Sequence, residues 1–332
     1  MQHRTLDTQA PIDARLGVIS NPHSGRNKKL IGEIDNMLRQ SSGVRHVITD
    51  SAQALPLAMK EFAATGVNIV AINGGDGSVA CALEHLSLFG SQPPLLVALP
   101  GGTTNVTVND VGIRGTLIHA FLQLLRWINR GHPNALIVER DIIAVQDAHG
   151  RSGGAGLVFG AGAVVHGIEY WNEQVRSRGM RSEFSSGLAM IRTLIGMLRA
   201  DERFAPPLHM SVHDLESDKR FEADIMLFVV CTLRRLFLGI TPFWGKELAP
   251  LETTVIEKGA RGFIANLPSL LRGQQTRTTF PEFGYHSFNS HRLKLHFEGS
   301  YTLDGELHSV DADASPLTIY SPGSARFLRI HT

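Results

Sequence analysis

The sequence predicts an α/β protein of two domains, the first built on a parallel sheet and the second mainly antiparallel β. In the first 130 residues, short apolar segments alternate with segments whose apolar residues recur at helical spacing. This alternation is typical of a parallel sheet covered by helices. After Pro133 a series of strand-like segments takes over. The length of 332 residues is about twice that of a common domain and agrees with this division.

The elements of the first domain alternate in chain order. Runs rich in Val, Ile and Leu predict strands at residues 15–20, 44–49, 68–73 and 95–99. Helical spacing of apolar residues predicts helices at residues 26–39, 52–64, 79–88 and 117–129. The last of these helices ends at Gly131 and Pro133.

The second domain is predicted from residue 133 onward. Its strand candidates are residues 136–146, 156–165, 209–213, 221–232 and 293–297, and residues 184–198 predict one amphipathic helix. The terminal segments 317–320 and 327–330 are expected to pack back against the first domain. We therefore divide the chain into residues 1–132, 133–315 and a C-terminal segment, 316–332.

Composition narrows the class of protein. A formal charge of +1 gives no overall attraction to nucleic acid. Cys81 and Cys231 form neither a disulfide framework nor a metal spacing, and we expect both to be small core residues. The polar start has no apolar core of a signal peptide, and no apolar run is long enough to cross a membrane. We expect a cytoplasmic protein with at most peripheral contact at the inner membrane face, and a homodimer is compatible with the sequence.

Three short loops suggest a phosphate site. The first loop is Asn21-Pro-His-Ser24-Gly25, the second is Gly74-Gly75-Asp76-Gly77-Ser78, and the third is Pro100-Gly-Gly102-Thr103-Thr-Asn105. Each follows a predicted strand, and the carboxyl ends of parallel strands meet at one edge of a sheet, where ligands bind. Glycine allows close approach of the backbone, and a following helix presents unpaired N–H groups to an anion.

The second loop matches neither common nucleotide fingerprint. It lacks the Gly-Lys-Ser/Thr ending of a P-loop, and its glycines are too closely spaced for a dinucleotide motif. Its glycines and Ser78 could hold a phosphate, while Asp76 could serve a metal, a ribose or a proton. The alternative is a tight strand-to-helix turn with Asp76 as a helix cap.

The order of these motifs resembles the diacylglycerol kinase catalytic family, which includes sphingosine and ceramide kinases. Asn-Pro-x-Ser-Gly, Gly-Gly-Asp-Gly-Ser and Gly-Thr-x-Asn occur in the family's order, and Asp304-Gly305-Glu306 resembles its late Asp-Gly-Glu element. The resemblance implies an α/β nucleotide domain similar to those of NAD kinases and 6-phosphofructokinases, followed by a β-sandwich domain. It also implies ATP and Mg²⁺ as cofactors.

The family roles pass to matching positions of this chain. The nucleotide-contacting positions would be Asn21, Ser24, Gly25, Thr49, Gly74, Gly75, Asp76, Gly77, Ser78, Gly102, Thr103 and Asn105. Asp304 would be the general base with Glu306 as its acidic neighbour, and Asp76 would be the aspartate of the glycine loop. In an extended segment Asp304 and Glu306 would point to the same face. The alternative is a hairpin with Asp304-Gly305 as its turn.

The chain departs from the family at three places. Ala80 and Val106 stand where the family has Asn and Asp. The family's Asp-Asp-Gly metal loop is replaced by a segment from Leu248 to Glu257. The metal ligands therefore stay unassigned.

The resemblance favours an ATP-dependent lipid kinase that acts on a diacylglycerol-like or sphingoid hydroxyl at the membrane surface. Arg176, Arg178 and Arg181 could contact lipid head groups, and residues 184–198 with 236–244 could wall a groove for acyl chains, although a solvated face and a packed core are the simpler interpretations. Two alternatives stay open. One is a soluble-substrate kinase of the NAD kinase type, and the other is a nucleotide-binding regulator without turnover.

Overall fold

The structure, a computed structural model, describes residues 13–41, 43–51, 53–131, 134–170 and 207–330. The predicted helix at 184–198 and Arg176, Arg178 and Arg181 lie outside these residues. The chain forms two compact units. One contains Gln2–Arg140 with Ser324–Thr332, and the other contains Asp141–Gly323. We call them the N-terminal unit and the central unit.

The N-terminal unit is built on a six-stranded sheet in the order β2-β1-β3-β4-β17-β5. The paired strands β1–β2, β1–β3, β3–β4 and β4–β17 run parallel. Its strands are β1 (Leu16–Ser20), β2 (Val44–Ile48), β3 (Ile69–Gly74), β4 (Leu95–Pro100), β5 (Ala135–Asp141) and β17 (Ser324–Ile330). Its helices are α1 (Asn27–Arg39), α2 (Ala54–Ala64), α3 (Asp76–Glu84), α4 (Val106–Val111) and α5 (Leu117–Arg130).

Alternate residues of these strands form the core of the N-terminal unit. On one face, α1 and α5 cover side chains of β1, β3, β4 and β17, with Phe121, Leu124 and Trp127 among the fully buried residues. Strands β1, β3 and β4 are buried along their whole length, as expected where helices cover a parallel sheet on both faces. The predicted parallel sheet is confirmed.

The central unit contains an eleven-stranded sheet whose strand pairings are all antiparallel. Its strands are β6 (Ile143–Gln146), β7 (Ser152–Gly156), β8 (Val158–Gly162), β9 (Leu208–Asp214), β10 (Arg220–Cys231), β11 (Leu251–Glu257), β12 (Tyr285–Ser290), β13 (Arg292–His296), β14 (Gly299–Leu303), β15 (Glu306–Val310) and β16 (Leu317–Tyr320). Among the residues of this unit that the structure describes, the α-helices are α6 (Ala163–Tyr170) and α7 (Phe263–Leu270).

This large sheet curls around one core. The Tyr301 hydroxyl on β14 donates to the Gly153 carbonyl on β7 at 3.1 Å, although β7 is at the far end of the strand order. Side chains from across the sheet share one buried cluster around Phe159, Phe228 and Leu295. The predicted fold class, an α/β domain with a mainly antiparallel β-domain, is thereby confirmed.

Several predicted elements differ in detail. Strand β8 ends at Gly162, where φ is +69°, and the apolar residues after it form α6 instead of extending the strand to residue 165. Residues 136–146 divide between β5 and β6, which lie in different sheets. Residues 317–320 form β16 in the antiparallel sheet, so their predicted packing against the first domain is wrong. Residues 327–330 lie in β17 beside β4. Within the described residues, no helix is long and apolar enough to span a bilayer.

Candidate phosphate site

The three loops meet at one edge of the parallel sheet. Strand β1 pairs with β2 on one side and with β3 on the other, so the chain leaves β1 and β3 in opposite directions across the sheet. Such a divergence opens a crevice at the carboxyl ends of the strands, where ligands of open α/β sheets bind. The first loop follows β1, the second follows β3, and the third follows β4. The sequence predicted this common edge.

Glycines allow the loops to touch. A Cβ atom on Gly102 would lie 2.7 Å from the Cα atom of Gly75, so no larger residue fits where the second and third loops cross. A Cβ atom on Gly25 would lie 2.8 Å from the Thr103 hydroxyl, which places the first loop against the third. The Arg26 N–H also donates to the Gly101 carbonyl at 3.2 Å. The three loops thus form one packed assembly.

Two buried asparagines below the loops were not predicted. The Asn27 side-chain amide donates to the carbonyls of Asn21 at 2.7 Å and of Asn73 at 2.9 Å, and therefore joins the ends of β1 and β3. The Asn73 amide donates to the Ser20 hydroxyl at 3.1 Å. Both asparagines are fully buried. The available signal was Asn73 itself, a polar residue at the end of an otherwise apolar strand.

A chain of polar side chains continues from Ser20. The Ser20 hydroxyl lies 2.9 Å from Nε2 of His46, and Nδ1 of His46 lies 2.9 Å from Asp35. This order resembles the serine, histidine and aspartate of a hydrolase. However, Ser20 has no exposed surface, so the chain supports the end of β1 and does not present a nucleophile. Hydrogen bonds from Arg39 and then His46 lower the pKa of Asp35.

Thr49 completes the support of the first loop. Its N–H and its hydroxyl both donate to the Ser20 carbonyl, at 2.9 and 3.3 Å, and the residue is buried. Thr49 therefore ties the end of β2 to the end of β1. Its predicted contact with a nucleotide stays a prediction.

Asp76 links the second loop to the third. Its carboxylate accepts hydrogen bonds from the Thr107 N–H at 2.9 Å, the Val106 N–H at 3.2 Å and the Thr104 hydroxyl at 3.0 Å. The backbone donors belong to the first turn of α4, where N–H groups have no partner within the helix. Asp76 therefore caps α4 from a distance of 30 residues, and not its own helix α3.

The capping of α4 leaves the N-terminus of α3 for a ligand. Helix α3 begins at Asp76, directly after Gly75, and no side chain caps it. It begins three residues earlier than predicted, so Asp76, Gly77 and Ser78 form its first turn. The first N–H groups of a helix lack partners within it and attract anions. Gly74 and Ser78 are packed closely, because a Cβ atom on Gly74 would lie 2.4 Å from the Ser78 hydroxyl.

Asn105 fixes the shape of the third loop. Its side chain accepts from the Gly102 N–H at 3.0 Å and donates to the Gly102 carbonyl at 3.1 Å. Its backbone is left-handed, with φ of 50°, a conformation that asparagine tolerates better than most residues. Asn105 is buried, whereas Thr103 is half-buried. The structure thus gives Asn105 a positioning role, and Thr103 is the more accessible of the two.

The central unit carries Asp304 and Glu306. Asp304 and Gly305 have φ of 49° and 90° and form the turn between β14 and β15, and Leu303 pairs with Glu306 across that turn. The segment is therefore not extended, and the expectation that the two carboxylates share a face through alternation is wrong. Asp-Gly suits such a two-residue turn because both positions need positive φ.

The turn also fixes the Asp304 carboxylate. Oδ1 accepts from the Val158 N–H at 2.8 Å and the Leu157 N–H at 3.1 Å, and Oδ2 lies 3.0 Å from the same Leu157 nitrogen. Glu306 is exposed, whereas Asp304 is half-buried. The hairpin and the functional interpretations of Asp304 are therefore compatible, because the turn gives one carboxylate a defined orientation.

The donor set does not fit a protein-built Mg²⁺ site. Among the described residues, no three His, Cys, Asp or Glu side chains group closely enough to hold a metal. Asp76, the carboxylate of the second loop, already accepts three hydrogen bonds with its two oxygens. Mg²⁺ is commonly held by substrate phosphates with only one or two carboxylates.

Replacement of Asn27 by Ala is expected to lower the free energy of unfolding by about 1–3 kcal/mol, because the buried Asn73 carbonyl and the partly buried Asn21 carbonyl each lose a donor. Urea denaturation followed by circular dichroism measures this loss. Asn68→Ala is the matched control. The Asn68 side chain bonds Arg15 N–H and the Asp13 carbonyl, but both bonds are exposed. An Asn27→Ala protein as stable as the Asn68→Ala protein would contradict the structural role of Asn27.

Known proteins support the resemblance. Residues 15–132 match the diacylglycerol kinase catalytic domain family. No curated protein sequence matches the chain. Three solved structures from Bacillus anthracis str. Sterne share the fold: a diacylglycerol kinase with 14% identity and a TM-score of 0.59, and two provisionally named diacylglycerol kinases with 14% and 15% identity and TM-scores of 0.63. Each alignment covers 97% of this chain, and 98%, 99% and 99% of the respective relatives.

Proposed function

We propose that the protein is an ATP-dependent lipid kinase, because residues 15–132 match the diacylglycerol kinase catalytic domain family. The matched family is one of kinases, which supports the enzyme class that the sequence predicted. The proposal adds the donor and the acceptor. ATP supplies the γ-phosphoryl group, and a hydroxyl of a diacylglycerol-like or sphingoid lipid receives it.

One observation carries the proposal. The uncapped N-terminus of α3 lies beside the crossing of the second and third loops, at the point where the chain leaves β1 and β3 in opposite directions. A phosphate chain there would meet backbone N–H groups and the positive end of a helix. The glycines leave the backbone accessible, and the asparagine and aspartate bonds below hold the loops in place. Phosphoryl transfer depends mainly on such positioning.

The proposed reaction transfers the γ-phosphoryl group of ATP to a lipid hydroxyl. The lipid hydroxyl oxygen forms a bond to the γ-phosphorus, the bond between that phosphorus and the β–γ bridging oxygen breaks, and ADP leaves. The hydroxyl proton passes to a carboxylate, which we assign to Asp304. Its anchoring to the Leu157 and Val158 N–H groups orients the carboxylate.

A total lipid extract incubated with γ-labelled ATP tests the function. We expect one lipid to gain the label when the purified protein and Mg²⁺ are present, and no label on the water-soluble products beyond background. The labelled lipid identifies the acceptor class. Label on NAD in place of lipid would instead support the NAD kinase type.

A second candidate is a nucleotide-binding regulator without turnover. It is favoured by the fact that the carboxylates of both Asp76 and Asp304 already accept backbone hydrogen bonds. Saturable ATP binding by calorimetry, with no label on any lipid, would establish this candidate and reject the kinase.

A further inference from the structure

Two neighbouring segments of the central unit expose apolar side chains. The first, residues 234–246, follows β10, and the second, residues 261–281, contains α7. Leu238 in the first segment is 67% exposed, and Ile264 on α7 is 63% exposed. Phe280 is also exposed. Large apolar side chains that are exposed together on one unit are typical of a surface that binds a protein or a membrane.

The two segments are packed together. The Thr241 N–H donates to the Leu271 carbonyl at 3.0 Å, and Gly273 lies directly against the carbonyls of Thr241 and Phe243. Trp244 from the first segment and Phe263 from the second pack in one apolar cluster with the buried Tyr285. The two segments are therefore packed against each other, and we call them together the arginine-leucine face, defined as residues 234–246 with 261–281.

Leu238 is held outward by a tight turn. The Leu236 N–H donates to the Ile240 carbonyl at 2.9 Å, and the Gly239 N–H donates to the Leu236 carbonyl at 3.0 Å. Within this turn Leu238 has φ of 56° and ψ of 15°, a left-handed conformation that is unfavourable for a large side chain. Because its side chain is largely exposed, Leu238 gains little stabilisation from burial that could offset this backbone strain. Its exposure therefore needs another explanation.

The charge of the arginine-leucine face is of one sign. Its two segments contain six basic residues and no Asp or Glu, and the exposed Glu247 and Glu282 follow them directly in the sequence. All six basic side chains are exposed: Arg234, Arg235, Lys246, Arg261, Arg272 and Arg277. Exposed apolar residues among basic ones are typical of a surface that rests on anionic lipid.

We propose that the arginine-leucine face docks the protein on an anionic phospholipid bilayer, with Leu238 and Ile264 entering the interface and the arginines contacting phosphate groups. The inference rests in part on the proposed function, because a kinase for a membrane lipid must reach its acceptor at the bilayer. It adds the surface that makes this contact and the charge of the lipid that it favours. The basic face complements the charge of an anionic bilayer, whereas the same basic face of a second copy would repel it.

Vesicle flotation tests the docking. Phosphatidylcholine vesicles with about a third phosphatidylglycerol are expected to bind the protein, and pure phosphatidylcholine vesicles to bind it weakly. Leu238→Ser with Ile264→Ser should reduce binding at least about tenfold, since buried apolar area is lost. Arg235→Gln with Arg277→Gln should reduce binding about fivefold per arginine and flatten its dependence on salt.

The matched control is on the other unit. Leu57, which is 66% exposed, and Lys60 lie on α2, and Leu57→Ser with Lys60→Gln should leave vesicle binding unchanged. Equal loss in the control and the Leu238/Ile264 variant would overturn the assignment of the face. Binding that is unaffected by either variant of the face would also overturn it. The assignment would also be overturned if the protein bound no vesicles and formed a dimer that both variants of the face dissociated.

A kinase assay with detergent-solubilised lipid separates the docking from the proposed function. The Arg235/Arg277 variant should keep the parent's activity in mixed micelles, because both residues lie outside the phosphate loops and outside residues 236–244. Anionic vesicle binding that depends on the face, in a protein without kinase activity, would support the docking and reject the kinase. Kinase activity in a protein whose vesicle binding is unchanged by these substitutions would support the kinase and reject the docking.

Discussion

Asp76→Ala is expected to lower phosphoryl transfer by about 10²-fold or more, because a displacement of about 1 Å at a reacting site can cost that much. The substitution removes the acceptor of three hydrogen bonds from Thr104, Val106 and Thr107. Helix α4 would lose its cap, and the third loop would lose its tie to the second. We also expect the free energy of unfolding to fall by about 1–3 kcal/mol. Turnover at saturating ATP, together with chemical denaturation, measures both effects.

Two companion variants make this result specific. Thr104→Val removes one of the three donors and keeps the carboxylate, so we expect a smaller loss of turnover than in Asp76→Ala. Asp50 follows β2, beside β1 in the same sheet, and is exposed, so Asp50→Ala serves as the control for loss of one negative charge. A folded Asp76→Ala protein with the turnover of the Asp50→Ala protein would show that neither the cap nor the carboxylate is needed.

The sequence predicted most of the N-terminal unit because the spacing of apolar residues differs between its strands and its helices. Strands of five to six residues such as β1 and β3 are apolar except for Ser20 and Asn73 near their ends, whereas α1 and α5 are amphipathic. Helix α4 was missed because Val106-Thr-Val-Asn-Asp-Val111 is short and rich in β-branched residues. Its formation depends on the cap from Asp76, a contact across 30 residues that no local pattern reveals.

The candidate site was predictable in position but not in its internal bonds. Glycines after consecutive strands are enough to place three loops at one sheet edge. They do not tell which polar side chains face the ligand and which support the loops. Asp76, Asn105 and Thr49 were predicted as nucleotide contacts. Asp76 and Thr49 bond backbone of a neighbouring loop or strand, and Asn105 bonds backbone of its own loop. Buried Asn27 and Asn73 were missed because asparagine is common in exposed turns as well.

Asp304→Asn is expected to keep ATP binding and to lower phosphoryl transfer by about 10²–10⁴-fold, the usual contribution of a general base. The turn should survive. Asparagine tolerates the φ of 49° at this position, and its single oxygen can take the place of Oδ1, which accepts from both Val158 and Leu157. The new amide group would stand where Oδ2 now faces the Leu157 N–H, so a loss of about 1 kcal/mol in stability is expected. Single-turnover transfer and calorimetric ATP binding measure the two properties.

Asp218→Asn is the matched control, because Asp218 is a second aspartate at positive φ in the same unit, with φ of 51°. Its carboxylate bonds His213 and Arg220 and has no proposed part in catalysis. If Asp304→Asn melts within a few degrees of the control, binds ATP and transfers at a much lower rate, the carboxylate acts in the chemical step. If the two variants transfer at equal rates, Asp304 serves only the hairpin between β14 and β15. In that case another group must accept the proton of the lipid hydroxyl.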